Sequence, residues 1–409
     1  MAGRPAGAQR RPYIPILVAA LGYFVDIYDL ILFSIVRVPS LRDIGVPQDQ
    51  IFSTGVMLLN MQMSGMLIGG IVWGVLGDKR GRLSVLFGTI ILYSLANLAN
   101  AWVTTVPQYA ALRLIAGIGL AGELGAGITL VSELMPKESR GYATSLVSAI
   151  GICGAVAAFA VGQRFDWRTA YIVGGVMGLA LLLLRVGVRE SGLFVQAQAS
   201  DHPRGQFFKL FSTWHRASRY IASILVGVPI WYVVAILITF SPEIGKAIGL
   251  SPVPEAGRAV VYCYVGISVG GLLSGWLSQL IRSRKKILAL FVGMTALCVG
   301  LYFAPGVVPA SAFYMLCFAL GVASGYWAIF ITVASEQFGT NLRATATTTV
   351  PNFVRGAVVP LTSIFQALTP SMGLIGAGLL VGVVTIVLAA GSIAMLDETY
   401  ARDLDFVEH

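Results

Sequence analysis

Along the chain, long apolar runs alternate with short polar connections. Twelve runs are long enough to cross hydrocarbon, which takes about 20 helical residues. They are 14–37, 50–76, 84–103, 107–132, 141–162, 169–188, 218–241, 258–281, 286–304, 310–334, 343–367 and 371–395. Most connections are short, so successive spans are antiparallel neighbours. One connection, 189–217, is longer, polar and basic, with Arg189, Glu190, Asp201, Arg204, Lys209 and Arg216. It divides the spans into six plus six. The pattern predicts an all-α membrane protein of twelve transmembrane helices in two pseudo-symmetric bundles. An N-terminal six-helix bundle covers 1–188, and a cytoplasmic central loop covers 189–217. A C-terminal six-helix bundle covers 218–409 and ends in a short cytoplasmic tail. The first run follows Arg4, Arg10 and Arg11, as the core of a signal peptide would. It is too long for that, contains two Asp and lacks a small-residue cleavage site, so it reads as the first span.

Composition narrows the class further. Apolar residues make up 56% of the chain and charged residues 11%. A soluble domain carries about a quarter charged residues, so this chain could not cover a globular surface. The net charge of +9 would suggest nucleic acid on a soluble protein. Here the basic residues sit between apolar runs and report topology instead. With the N-terminus in the cytoplasm, 20 Lys/Arg fall on cytoplasmic segments and six outside: Arg37, Arg42, Arg164, Arg168, Lys246 and Arg258. That asymmetry predicts cytoplasmic termini in a plasma (inner) membrane, with the lipid bilayer as surroundings and no nucleic-acid partner. A monomer is expected. Cys153, Cys263, Cys298 and Cys317 all lie inside apolar runs without a CxxC pair, so neither a disulfide framework nor a metal site is expected. No Walker loop or nucleophile elbow is present, which argues against an enzyme. No cofactor is expected; the energy source is an ion gradient, with protons favoured and sodium left open.

Two features repeat between the halves. The connection after span two reads Gly74-x3-Asp78-Lys-Arg80-Gly81-Arg82, and its counterpart after span eight keeps Gly275 and the basic Arg284-Lys285-Lys286 but lacks the acid. After span four, Arg140 follows Glu133 by seven residues; after span ten, Arg343 follows Glu336 by seven. The first motif resembles the G-x-x-x-D-[RK]-x-G-R loop of major facilitator superfamily carriers. Arg113-x3-Gly117-x-Gly119, then Glu133, Pro136 and Arg140-Gly141, resembles the branch of sugar porters, metabolite:proton symporters and organic-ion carriers. Gly22-x5-Tyr28-Asp29, Glu190-Ser191 and Glu398-Thr399-x2-Arg402-Asp403-Leu404 are similar to the same branch. The resemblance implies a midplane substrate site, alternating access and an Asp29–Arg113 pairing. It also implies gating by Gly74, Asp78, Arg80, Gly81, Arg82, Glu133 and Arg140. Span seven departs from sugar porters: it has Trp231-Tyr232 where they have paired glutamines. Arg355 is likewise not a sugar-porter feature, whereas organic-anion members of the wider branch carry an Arg in the eleventh helix.

Function rests on five charges inside spans: Asp26, Asp29, Arg113, Glu123 and Arg355. Each costs about 2.5–3.5 kcal/mol at mid-bilayer, so they must face water or one another. Structural ion pairs within the bundle are the alternative to a transport role. Asp26 and Asp29, three apart, share a helical face and form a coupled pair suited to loading a proton. Glu123, about 15 Å along the helix from Arg113, is a second proton stop or a lock to the other half. Arg355, between Pro351 and Pro360, can grip a carboxylate with two parallel hydrogen bonds. Tyr28, Trp231, Tyr232, Tyr262, Tyr264, Tyr326 and Trp327 are candidate aromatic walls, with interfacial anchoring as their alternative. The expected activity is proton-coupled transport of a small organic anion of the carboxylate class. Its rivals are a proton-coupled exporter of cationic or amphipathic compounds and a non-transporting sensor.

Overall fold

A computed structural model describes residues 13–80, 82–123, 140–185, 207–304 and 309–400. Every regular element among them is helical. The first half comprises α1 (Tyr13–Asp43), α2 (Ile51–Arg80), α3 (Arg82–Asn100), α4 (Val106–Leu120), α5 (Arg140–Arg164) and α6 (Trp167–Arg185). The second half begins with a 3₁₀ turn, Phe207–Phe211, and continues through α7 (Trp214–Tyr232), α8 (Ser241–Ala247), α9 (Ala256–Ile281) and α10 (Arg284–Phe303). It ends with α11 (Phe313–Ala323), α12 (Trp327–Glu336), α13 (Thr340–Gly356) and α14 (Val358–Met395).

Eight stretches among the described residues are long and apolar enough to cross a membrane. One of them, Thr345–Met395, is folded in two at Gly373, whose φ of 69° only glycine adopts without strain. Three shorter apolar helices, Val85–Asn100, Val106–Leu120 and Ile150–Arg164, complete twelve passes in the expected order. Spans seven and ten are not continuous α-helices. Span seven passes into a π-helical turn, Val233–Ile238, directly after Trp231 and Tyr232. Span ten breaks at Ser324–Tyr326 between α11 and α12. Non-helical backbone at membrane depth is tolerated where protein or a polar site satisfies it.

The repeat is visible in how backbones touch. In the first half, a Cβ on Gly65 would overlap Leu114 O, and one on Gly117 would overlap Gln62 O, so α2 and α4 meet backbone to backbone. In the second half, Gly266 meets Phe318 O and Gly321 meets Cys263 O, which closes α9 on α11 in the same way. Small residues permit such contact in lipid, where apolar burial alone does not drive helices together. Gly270 continues the α9 seam against Val322, whereas nothing lies within 4 Å of a Cβ on Gly275.

Arg37, read as part of an external connection, is fully buried because α1 runs on to Asp43. Its Nη2 donates to Glu243 Oε1 at 2.7 Å and to Thr239 O at 3.3 Å, and its guanidinium lies 4.6 Å over the Phe240 ring. Ser34 and Thr239 hydroxyls meet at 3.0 Å beside it. Phe52 packs edge-on against both Phe240 and Phe365. These contacts join the halves at the end of the bundle away from Tyr13 and Tyr400.

At the opposite end, the segment after α14 caps α10. Glu398 accepts from Ser283 Oγ, from Arg284 N at 2.9 Å and from Lys285 N at 3.3 Å. Gln337 Nε2 donates to Asp397 O at 2.8 Å, and Arg219 Nη1 donates to Gln337 O at 2.7 Å. Burial opposes ionisation of Glu398. Hydrogen bonds from Ser283 and from the Arg284, Tyr400 and Lys285 N–H groups outweigh it and hold the carboxyl below its ordinary value. A lowered folded-state pKa stabilises this clamp above the ordinary carboxylate range, and the benefit is lost as the pH falls through the folded value. Glu398→Gln should therefore speed hydrogen exchange at the Ser283–Lys286 amides at neutral pH. Acidification should narrow the difference from wild type; a constant difference would show that the carboxylate charge is not the cause.

Candidate functional site

The two helix breaks flank one residue. Arg355 occupies the last turn of α13 and is 1% exposed. Its guanidinium lies 5.7 Å from the ring of Trp231, two positions before the π-helical segment. It lies 5.9 Å from the ring of Trp327, the first residue of α12 after the break. Across the interface between the halves, Asp26 Oδ2 of α1 is 3.8 Å from Arg355 Nη2. Arg355 Nε and Nη1 and both Asp26 oxygens make no hydrogen bond among the described residues. The pair is long, buried at both ends and incompletely satisfied. Tyr23 and Tyr264 complete the surroundings, close enough for the Arg355 and Asp26 charges to act on both hydroxyls.

Asp29 faces elsewhere. A Cβ on Gly174 of α6 would collide with Asp29 Oδ1, so this carboxylate points into the first bundle rather than toward the second. Three residues on a helix differ by about 60° in direction, enough to send Asp26 and Asp29 to different surroundings. The expected Asp29–Arg113 ion pair is not formed: the Arg113 charge acts on Asp29 from beyond ion-pair distance. Arg113 Nη2 instead donates to Gln62 Oε1, Nη1 donates to Tyr171 OH at 3.5 Å, and the group lies 4.5 Å over the Phe33 ring. Tyr171 continues to Tyr109 at 2.7 Å, and Tyr109 donates to Ser40 at 3.4 Å. The physical reason is competition: a neutral amide and a phenol reach the guanidinium first.

The remaining sequence candidates divide. Glu123, 2% exposed, receives a bond from Thr89 Oγ1 at 3.5 Å, and its charge acts on Asp26. Tyr28 donates to Ala170 O at 2.9 Å, Tyr232 to Gly378 O at 2.7 Å and Tyr326 to Val226 O at 3.0 Å. Those three hydroxyls are committed to carbonyls within their own halves. Tyr262 is 39% exposed and packs on Tyr314, away from Arg355. A Cβ on Gly74 would lie 3.8–3.9 Å from the methyls of Thr349 and Thr348 of α13, in ordinary contact at the seam between halves. Asp78 and Arg80 end α2, Arg82 begins α3 and Arg140 begins α5; their side chains lie outside the description. Gly81 and Glu133 lie outside the described residues. Sequence reading missed Gln62, Tyr23, Asn352, Arg37 and Glu243. Asn352, one turn before Arg355, donates to Ala121 O at 3.0 Å and so ties α13 to the first half. Its polarity inside a span was the available signal.

A sequence model of the Major Facilitator Superfamily matches residues 19–359. The chain belongs to this superfamily. It is a multi-pass membrane transporter, not an enzyme. It is 30% identical to the 3-(3-hydroxy-phenyl)propionate transporter of Escherichia coli over 72% of this chain and 71% of that one. It is 25% identical to a putative niacin/nicotinamide transporter of Bacillus subtilis over 83% and 84% of the two chains. Among solved structures, the partially occluded inward-open xylose transporter of Escherichia coli superposes with a TM-score of 0.73 at 17% identity, covering 95% of this chain and 98% of that one. At that identity the superposition speaks for the superfamily fold alone. It fits the twelve passes and the two bundles, with Arg355 of the second bundle meeting Asp26 of the first.

Proposed function

We propose that this superfamily member moves a small aromatic carboxylate together with protons by alternating access. The observation that carries the reading is Arg355: a buried guanidinium between two indole rings, with Nε and Nη1 unpartnered and only a 3.8 Å contact to Asp26. A substrate carboxylate is a better partner than Asp26, because it brings two oxygens to a planar fork at shorter range. Its ring then occupies the space beside Trp231 and Trp327, where offset or edge-on stacking is favourable. The relatives named for hydroxyphenylpropionate and niacin/nicotinamide support a ring-bearing cargo.

Coupling follows from displacement. When substrate takes Arg355, Asp26 loses its counter-charge in a buried place and gains a proton instead. When the proton leaves, Asp26 reclaims Arg355 and expels the anion. The halves are thereby linked through one contact that substrate and proton both rearrange. No cofactor is needed. The protein works as a monomer in the plasma (inner) membrane, with both termini in the cytoplasm, a reading the Lys/Arg distribution supports.

The test uses purified protein in liposomes loaded with the pH dye pyranine. Adding 3-(3-hydroxyphenyl)propionate or nicotinate outside should acidify the lumen faster than in protein-free liposomes. Acidification no faster than that control, with internal pH responding to lipophilic cations only, would overturn the anion reading in favour of an exporter. Stimulation by a sodium gradient but not by a proton gradient would replace the coupling ion.

A further inference from the structure

Behind α1 lies a second set of polar groups that the Arg355 site does not use. Asp29, Ser94, Asn97 and Asn100 are at most 1% exposed. Both Asp29 oxygens, Ser94 Oγ and all four side-chain amide atoms of Asn97 and Asn100 make no hydrogen bond among the described residues. Three observations place them together. Gly174 of α6 abuts Asp29 of α1; Gly175 meets Leu98 and, one turn on, Gly178 meets Ser94 Oγ, so α3 and α6 pack antiparallel beside Asp29. Asn97 sits at the Asp29 level and its amide acts on that carboxylate without a hydrogen bond of ordinary geometry. Asn100 lies one helical turn further along α3, about 4.5 Å on, in the last turn before the 101–105 connection. Glycine at 174 and 178 lets Asp29 Oδ1 and Ser94 Oγ press against the α6 backbone, where a Cβ would collide with them.

Unpartnered polar atoms buried in protein are normally satisfied by ordered water, which bridges about three such groups at a time. We infer that Asn97 and Asn100 line a water-holding recess inside the first bundle, through which protons reach Asp29 separately from the substrate. This rests on the proposed proton coupling, in which Asp26 takes its proton from Asp29. The step is a relay: a proton enters from bulk water at the 101–105 end, passes along hydrogen-bonded waters and forms an O–H bond on Asp29, with no other bond changed. The charged and titratable groups around Asp29 are Asp26 and Tyr28 on α1, Arg113 on α4 and Tyr171 on α6. Tyr171, Tyr109 and Ser40 already hydrogen-bond one another. The Asn97–Asn100 row is the part left for water. The nearby Arg113 charge works against a metal cation there.

Asn97→Leu and Asn100→Leu keep the volume and remove the polar atoms. Each should slow proton-driven uptake by about tenfold and leave counterflow of labelled substrate at symmetric pH unchanged. Asn97→Ser, which restores a hydroxyl and room for water, should recover uptake. Equal loss of uptake and counterflow would make the row a packing feature, and no loss of either would remove the path. Uptake that follows a sodium gradient and is lost in Asn97→Leu would make it a cation site. Asp29→Asn run in parallel separates the two readings. If it keeps proton-driven uptake, the coupling at Asp29 fails; if it loses uptake while Asn97→Leu does not, only the recess fails. Should the Leu variants not fold, Asn97→Cys in a background without Cys153, Cys263, Cys298 and Cys317 provides the check. A small hydrophilic thiol reagent should modify it even with substrate bound; an unreactive thiol would show the recess is dry.

Discussion

Arg355→Ala should lower affinity for the aromatic acid far more than for its uncharged alcohol analogue. A hydrogen bond to a charged group contributes about 1.5–3 kcal/mol, so acid binding should weaken about 10- to 100-fold. Ring stacking on Trp231 and Trp327 survives the change, which is why the alcohol should lose little. The same substitution leaves Asp26 buried without its partner, and breaking one side of a buried pair costs about 3–5 kcal/mol. Loss of stability would confuse the result, so the measurement needs the double variant Asp26→Asn/Arg355→Ala, which removes both charges. That variant should regain thermal stability and still discriminate poorly between acid and alcohol. Arg355→Lys should restore the charge without the planar fork and recover only part of the acid affinity. Equal losses for acid and alcohol throughout would make the pair a structural lock between α1 and α13.

Much of this architecture can be read from hydrophobic patterning, because a bilayer demands about 20 apolar residues per pass and leaves charge only in connections or at sites. The five intramembrane charges stand out for the same reason. Partnership between them is different. Asp26 and Asp29 are close enough in sequence to look like one site, yet a rotation of about 60° directs one at Arg355 and the other at Gly174 and Asn97. Nothing in the spacing of α1 says which face meets the second bundle; that depends on how α5, α6 and α9 pack around it. Arg113 illustrates the same point, since Gln62 on α2 becomes its partner only once Gly65 and Gly117 have brought α2 and α4 together. Arg37 was misplaced because α1 continues through Pro39 beyond its apolar run. Of the aromatic candidates, the two tryptophans at helix breaks lie against Arg355, with Tyr264 near enough to feel its charge. Tyr232, one residue from Trp231, points to Gly378 instead.

Asp29→Asn should abolish proton-driven accumulation and leave counterflow intact. Counterflow exchanges labelled for unlabelled substrate without net proton movement, so it needs the Arg355 site and the rocking of the halves but no titrating group at Asp29. Accumulation needs both. The amide keeps the shape that Gly174 accommodates and cannot gain or release a proton near neutral pH. Asp26→Asn should behave differently, because Asp26 competes with substrate for Arg355. Removing that competitor should tighten acid binding while slowing release, so uptake and counterflow fall together and the half-saturating substrate concentration drops. The two carboxylates are thereby separable by one pair of assays: Asp29 by a loss confined to proton-driven flux, Asp26 by a loss shared with exchange and accompanied by tighter binding. Identical behaviour of the two variants would mean that they act as one unit. The displacement of Asp26 from Arg355 would then not be the step that couples proton to substrate.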